Sequence, residues 1–176
     1  MPCRTNLKDL NKVSPKIFCS TLSGIFEHSP WIAKRVISKR PFNSVESLYK
    51  NMLNQVMQSD TKTKMNLIHA HPELTNQTQT QKRLTQESRD EQETANLMSL
   101  TDKEASEFHQ LNKDYKRRFG FPFIIAVKGF EKPHNKLSIL ITLRKRIQKS
   151  YPDEYHEALR QIARIAEIRL KELVKE

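Results

Sequence analysis

The sequence predicts an all-α fold: a compact, single-domain helical bundle over residues 1–176 with one short extended segment. Three observations carry that prediction. A chain of 176 residues suffices for one sizeable core and is too short for two independent ones. Cap signals recur along it, each followed by apolar residues at helical spacing. One apolar run, bounded by proline and glycine, is too short to be a helix.

Taken in order, Ser14 followed by Pro15 reads as an N-cap with proline at the first helical position, and Phe18, Leu22, Ile25 and Phe26 form the stripe behind it. Ser29 and Pro30 repeat the signal before Trp31, Ala33, Val36 and Ile37. Ser44 opens a helix carrying Val45, Leu48, Met52 and Val56, and a shorter one is expected over residues 63–69. That places four helices before residue 71. Residues 72–82 turn to Asn, Gln and Thr and are expected to form a surface loop.

A helix is expected over residues 85–99. Thr101-Asp102-Lys103-Glu104 is a capping box for the next, whose stripe is Ala105, Phe108, Leu111, Tyr115 and Phe119. Gly120-Phe121-Pro122 stops it. Phe123, Ile124, Ile125, Ala126 and Val127 are then the buried extended segment, and helices over 135–149 and 152–176 complete the chain.

Composition removes several function classes. Lys plus Arg number 31 against 20 acidic residues, a formal charge of +11. Such a surplus attracts anions and keeps a chain in solution without choosing a partner. The basic groups are scattered in clusters (Arg35, Lys39, Arg40; Lys113, Lys116, Arg117, Arg118; Arg144, Lys145, Arg146, Lys149) among helix-spaced apolar residues, so each is expected to be a solvated helix face. Residues 120–127, the longest uncharged apolar stretch, fall far short of the roughly 20 needed to span a bilayer. No secretory leader is evident at the start. Cys3 and Cys19 make neither a disulfide framework nor a zinc motif, and no base beside either supports a thiol nucleophile. His69 and His71 lack a third ligand at persuasive spacing, so no metal is expected.

The informative residues are polar ones on apolar stripes. On the last helix Tyr155, Leu159, Ile162, Ala166 and Leu173 share a face at 100° per residue, and Arg169 falls in the same arc. An arginine there must meet either an anionic ligand or a structural acid, and the pattern leaves both open. On the helix after the loop, Leu84, Ala95 and Met98 define an arc that contains Glu91, with Ser88 and Gln92 as its i−3 and i+1 neighbours. Ser88-Arg89-Asp90-Glu91 also fits a capping box, which periodicity alone favours. His71, held by Pro72 at a helix end, can serve as an acid or base near neutral pH.

His71-Pro72-Glu73-Leu74, Leu84-Thr85-Gln86-Glu87-Ser88 with Glu91-Gln92, Leu111-Asn112 with Tyr115, and Arg118-Phe119-Gly120-Phe121-Pro122-Phe123-Ile124 together resemble the decarboxylases of urate degradation that act on 2-oxo-4-hydroxy-4-carboxy-5-ureidoimidazoline (OHCU). The resemblance extends to Ser29-Pro30-Trp31, Arg40-Pro41-Phe42 and Ile165-Ala166-Glu167-Ile168-Arg169-Leu170, nearly the whole chain. It implies an all-helical, commonly dimeric enzyme that needs no metal or organic cofactor. It implies His71 as the catalytic proton donor and Glu91 as the carboxylate working beside it. Pro72, Ser88, Gln92 and the backbone of Phe123, Ile124, Ile125, Ala126 and Val127 become substrate contacts, and Arg169 the C-terminal arginine of the site. This chain departs from the family after His71-Pro72, reading Glu73-Leu74-Thr75-Asn76 where Asp and then Leu-Ala-Gly are usual.

The resemblance further implies a small-molecule substrate as partner, with no nucleic acid and no membrane. The closing Val174-Lys175-Glu176 is not a peroxisomal tripeptide, which points to a cytoplasmic, bacterial protein. Two alternatives stand beside this one: a non-catalytic basic helical protein that binds nucleic acid, and a member of the fold kept as an interaction module.

Overall fold

The computed structural model describes residues 4–74, 85–95, 97, 99–129 and 132–176, and within these the chain is predominantly helical, as the cap signals predict. The described residues fall into two compact units, one of residues 1–70 with 163–176, the other of residues 71–162.

In the first unit, β1 (Thr5–Asn6) and α1 (Leu7–Leu10) precede the first expected helix. Neither is foreseen by periodicity, because four residues carry less than two turns of pattern. The Asn6 side chain caps α1 by accepting from Lys8 N–H at 2.8 Å. α2 (Pro15–Thr21) begins where expected, with Ser14 as N-cap and proline in the first turn. α3 (Trp31–Val36) begins one residue later than Ser29-Pro30 suggests: its N-cap is Pro30, with no side-chain cap bond. Ser29 is instead spent in the preceding turn, donating its N–H to Phe26 O at 3.1 Å. A 3-10 turn (Ile37–Lys39) follows.

α4 (Val45–Met57) is capped by Ser44 and buries Val45, Leu48, Met52 and Val56, the expected stripe. α5 (Thr61–Ala70) is longer than the expected 63–69. The chain's end also differs from expectation. The last helix, α9 (Tyr151–Leu173), stops before 176, and β2 (Val174–Lys175) pairs in parallel with β1, Thr5 opposite Val174.

One basic cluster of this unit is not wholly solvated. Arg40 is half-buried, donates to Val13 O at 2.7 Å and Asn11 O at 3.3 Å, and lies 5.1 Å over the Phe18 ring. Its guanidinium satisfies carbonyls left by the turn after α1, a task the charge pattern does not reveal.

The second unit contains α6 (Gln86–Thr94), α7 (Asp102–Phe119), α8 (Lys136–Arg146) and the beginning of α9. α7 has the capping box read from Thr101 and Glu104, with both reciprocal bonds present. It ends at Gly120, whose φ of +77° is the left-handed cap conformation that glycine adopts without a Cβ penalty. Phe119, Phe121 and Phe123 then gather round the fully buried Tyr115, at ring-centroid distances of 4.7, 6.0 and 5.4 Å. That cluster buries the run expected to be extended: every residue from 121 to 127 is buried and lies outside helix and sheet. Among the described residues no helix is long and apolar enough to cross a membrane.

Candidate functional site

The second unit supplies every expected site residue except Arg169. His71, the first residue after α5, is buried at 7% exposure. Pro72, Glu73 and Leu74 behind it are half-buried. Two contacts from α7 fix this short stretch: Asn112 Nδ2 donates to Leu74 O at 2.8 Å, and Lys116 Nζ lies 4.0 Å from Glu73 Oε2. The first makes Asn112 a buried polar side chain of α7, on the face that also carries Phe108, Tyr115 and Phe119. The departures at Thr75 and Asn76, like the rest of the polar loop to 82 and Leu84, lie outside the described residues.

α6 is the most polar helix of the chain, Gln-Glu-Ser-Arg-Asp-Glu-Gln-Glu-Thr, and yet Ser88 and Gln92 are buried at 4% and 6% exposure, with Glu91 half-buried between them. At positions i, i+3 and i+4 the three share a face. A helix that turns hydroxyl, carboxylate and amide inward, with no apolar side chain among its residues, gains nothing from hydrophobic burial.

The helix excludes one reading of Glu91, the cap. The N-cap is Thr85, whose side chain accepts from Ser88 N–H at 3.3 Å. Ser88 therefore sits inside the helix, and the favoured Ser88–Glu91 capping box is not formed. Glu91 is left in mid-helix, its backbone carbonyl bonded to Ala95 N–H. The helix ends at Thr94, short of the expected 99, and Met98 lies outside the described residues.

Phe123, Ile124, Ile125, Ala126 and Val127 form a buried run with 1% to 6% exposure. Among the described residues no strand pairs with it, and side chains and a loop amide meet its backbone groups instead. Arg146 Nη1 donates to Ile124 O at 2.7 Å, Ala126 N–H donates to Gln161 Oε1 at 2.8 Å, and His134 N–H donates to Val127 O at 3.0 Å. The Ala126 N–H is thus already engaged. Ile125 has no hydrogen bond among the described residues.

Behind the run is a group absent from the sequence expectations. Arg146, placed by its charge cluster on a solvated face, is buried at 4% exposure and pairs with Glu154, which has no exposure at all. Its Nε donates to both carboxylate oxygens at 3.2 and 3.0 Å, and Tyr115 Oη donates to Glu154 Oε2 at 2.6 Å. Burial, and then the bond to Glu154, push the Tyr115 phenol well above its ordinary range. Arg146 Cζ lies 4.6 Å over the Phe123 ring. A signal was available: Ile139, Leu143 and Arg146 stand at helical spacing on one buried stripe of α8, the same anomaly that singles out Arg169.

Arg169 belongs to the first unit. It is buried at 4% exposure, and its Nη1 donates to Glu27 Oε2 at 2.8 Å and to Gly24 O at 3.0 Å. Of the two readings left open for it, a structural acid is present: Glu27 is wholly buried.

Comparison with known proteins gives the family. The OHCU decarboxylase family model matches residues 11–171. The chain is 38% identical over 97% of its length to the uric acid degradation bifunctional protein of Bacillus sp. (strain TB-90), but spans only 32% of that protein. It is 36% identical to the 2-oxo-4-hydroxy-4-carboxy-5-ureidoimidazoline decarboxylase of Haloferax volcanii, with 94% of each chain covered. The crystal structure of an (S)-allantoin synthase superposes with a TM-score of 0.76 at 29% identity, covering 97% of this chain and 54% of the other. With its match running nearly end to end, the chain belongs to the OHCU decarboxylase family.

Proposed function

We propose that the chain is a carbon–carbon lyase that decarboxylates OHCU to (S)-allantoin in urate degradation. The observation that carries this reading is the inward polar face of α6, Ser88, Glu91 and Gln92, in a unit that also buries His71, within a chain that belongs to this family.

In the reaction the bond between the ring carbon and the carboxylate breaks, carbon dioxide leaves, and the electron pair spreads into the imidazolinone ring. The ring is its own electron sink, so no metal or organic cofactor is called for. The protein's part is orientation and the meeting of developing negative charge by fixed donors. The backbone of residues 123–127 suits that part because main-chain donors held by a packed run need no reorganisation. His71 delivers a proton to one face of the neighbouring ring carbon, the one that carries the ureido group. Glu91 takes the hydrogen of the hydroxyl, whose carbon becomes a carbonyl, and returns it to the ring nitrogen that received the electron pair. Pro72, Ser88 and Gln92 hold the substrate, and Arg169 adds positive charge toward the anion while engaged with Glu27. The enzyme works as a cytoplasmic homodimer on a small molecule, with neither nucleic acid nor membrane as partner.

The test generates OHCU from urate with urate oxidase and hydroxyisourate hydrolase and follows its ultraviolet decay. The chain should accelerate the decay, and His71→Ala, folded by circular dichroism, should lose most of the acceleration. A His71→Ala variant with near-wild-type turnover removes His71 from the mechanism. Decay indifferent to the chain, together with nucleic-acid binding that weakens steeply with salt, would favour the basic binding protein instead.

A further inference from the structure

The buried run of residues 123–127 has no partner strand among the described residues, so other groups must hold its backbone. Two residues apart, Ile124 and Ala126 have backbone groups that in an extended chain face the same way. The Ile124 carbonyl meets Arg146 Nη1 at 2.7 Å, and the Ala126 N–H meets Gln161 Oε1 at 2.8 Å. Side chains from α8 and α9 therefore hold these two backbone groups.

Both clamps are themselves braced. Gln161 Nε2 donates to Glu157 Oε1 at 2.7 Å, one turn back on α9. Arg146 Nε spans both oxygens of Glu154, and Tyr115 Oη fixes that carboxylate. If Arg146 served only to neutralise Glu154, Nε alone would suffice, yet the shortest of the arginine's bonds goes to Ile124 O. The residue between the two clamped positions, Ile125, is 6% exposed and has no hydrogen bond among the described residues. Its N–H is thus unspent among the described residues while the neighbouring groups are pinned, a donor open to a ligand.

We propose that Arg146 and Gln161 are positioning residues, which by holding the Ile124 carbonyl and the Ala126 N–H aim the Ile125 N–H at the negative charge that develops as the carboxylate leaves. This rests on the reading of residues 123–127 as substrate donors, and it deepens that reading by dividing the run into clamped and donating positions.

The experiment measures kcat, KM, melting temperature and product chirality for the full-length chain and three variants. Gln161→Met removes the acceptor from a half-exposed position, so the fold should survive; kcat should fall about 10-fold with KM changed by less than about 2-fold, the signature of an interaction stronger in the transition state. The swapped pair Glu157→Gln with Gln161→Glu keeps both an oxygen for Ala126 N–H and a hydrogen bond between the two side chains, and should stay within about 3-fold of wild-type kcat. Arg146→Lys keeps the charge beside Glu154 and loses the second arm, so it should also lower kcat; if it does not fold, the Gln161 pair decides. A Gln161→Met enzyme with unchanged kcat, or one in which only KM rises, overturns the positioning role. A swapped pair as slow as the Met variant does the same. A wild-type chain without decarboxylase activity overturns the function itself, and the proposal with it.

Discussion

Arg169→Met separates two roles that one side chain can hold. The Arg169 and Glu27 side chains are 3% and 0% exposed and 2.8 Å apart. Methionine keeps the packing volume of the aliphatic stem and deletes the guanidinium, leaving the Glu27 carboxylate in the interior without it. The other carboxylate oxygen lies 3.8 Å from His28 Nε2, beyond hydrogen-bond range. Breaking a buried pair from one side costs about 3–5 kcal/mol, a large part of the roughly 5–15 kcal/mol that holds a domain together. For a chain of this size that is a fall of about 6–20 °C in melting temperature. The pair Glu27→Leu with Arg169→Met should recover most of the loss, since it removes both charges together. Thermal unfolding monitored by circular dichroism measures both variants. Turnover measured well below the melting point then asks the second question: if Arg169 also attracts the anionic substrate, KM should rise about 10-fold, or about 1.4 kcal/mol. A single variant that melts within about 2 °C of wild type would refute the reasoning about the buried pair. Destabilisation with unchanged KM would leave Arg169 a structural residue alone.

Three further outcomes are expected. Gly120→Ala should cost about 1–2 kcal/mol in urea unfolding, because φ is +77° while nothing lies within 4 Å of an added Cβ, so the loss is backbone strain alone. Glu104 is held down to about 2, first by its bond from Lys136 and then by the Thr101 N–H. Its folded value lies below its unfolded one, so its stabilisation is present above about pH 4.5 and is lost as pH falls toward 2. The stability gap between wild type and Glu104→Gln, by denaturant titration, should therefore close over that window, and a constant gap would exclude the linkage. Asn112→Leu removes the bond that ties Leu74 to α7, so turnover should slow about 10-fold through misplacement of His71 and Pro72; unchanged kinetics would make Asn112 a packing residue.

The helices were legible because amphipathic stripes and caps are local: Ser14, Ser44 and the Thr101–Glu104 box each mark a start where the structure has one. β1, α1 and β2 were not, since their existence depends on Thr5 meeting Val174, 169 positions away. Arg169 and Arg146 carry the same signature, a cation on a buried stripe, but Arg146 stands in a run of basic residues that masks it. Its partner Glu154 lies eight positions on, across the end of one helix and the start of the next, and no helical spacing links them. The capping box at Ser88 illustrates the converse error. The motif fits, but Thr85 reaches the Ser88 N–H first, and which of two adjacent caps closes a helix depends on where the chain enters it.

Circular dichroism of the product tests the central claim most directly. With OHCU formed in place and the chain added at once, allantoin should appear faster than in the chain's absence and as a single enantiomer, because one imidazole protonates one face of a held ring. Allantoin that accumulates at the same rate without optical activity, with or without the chain, would contradict the account.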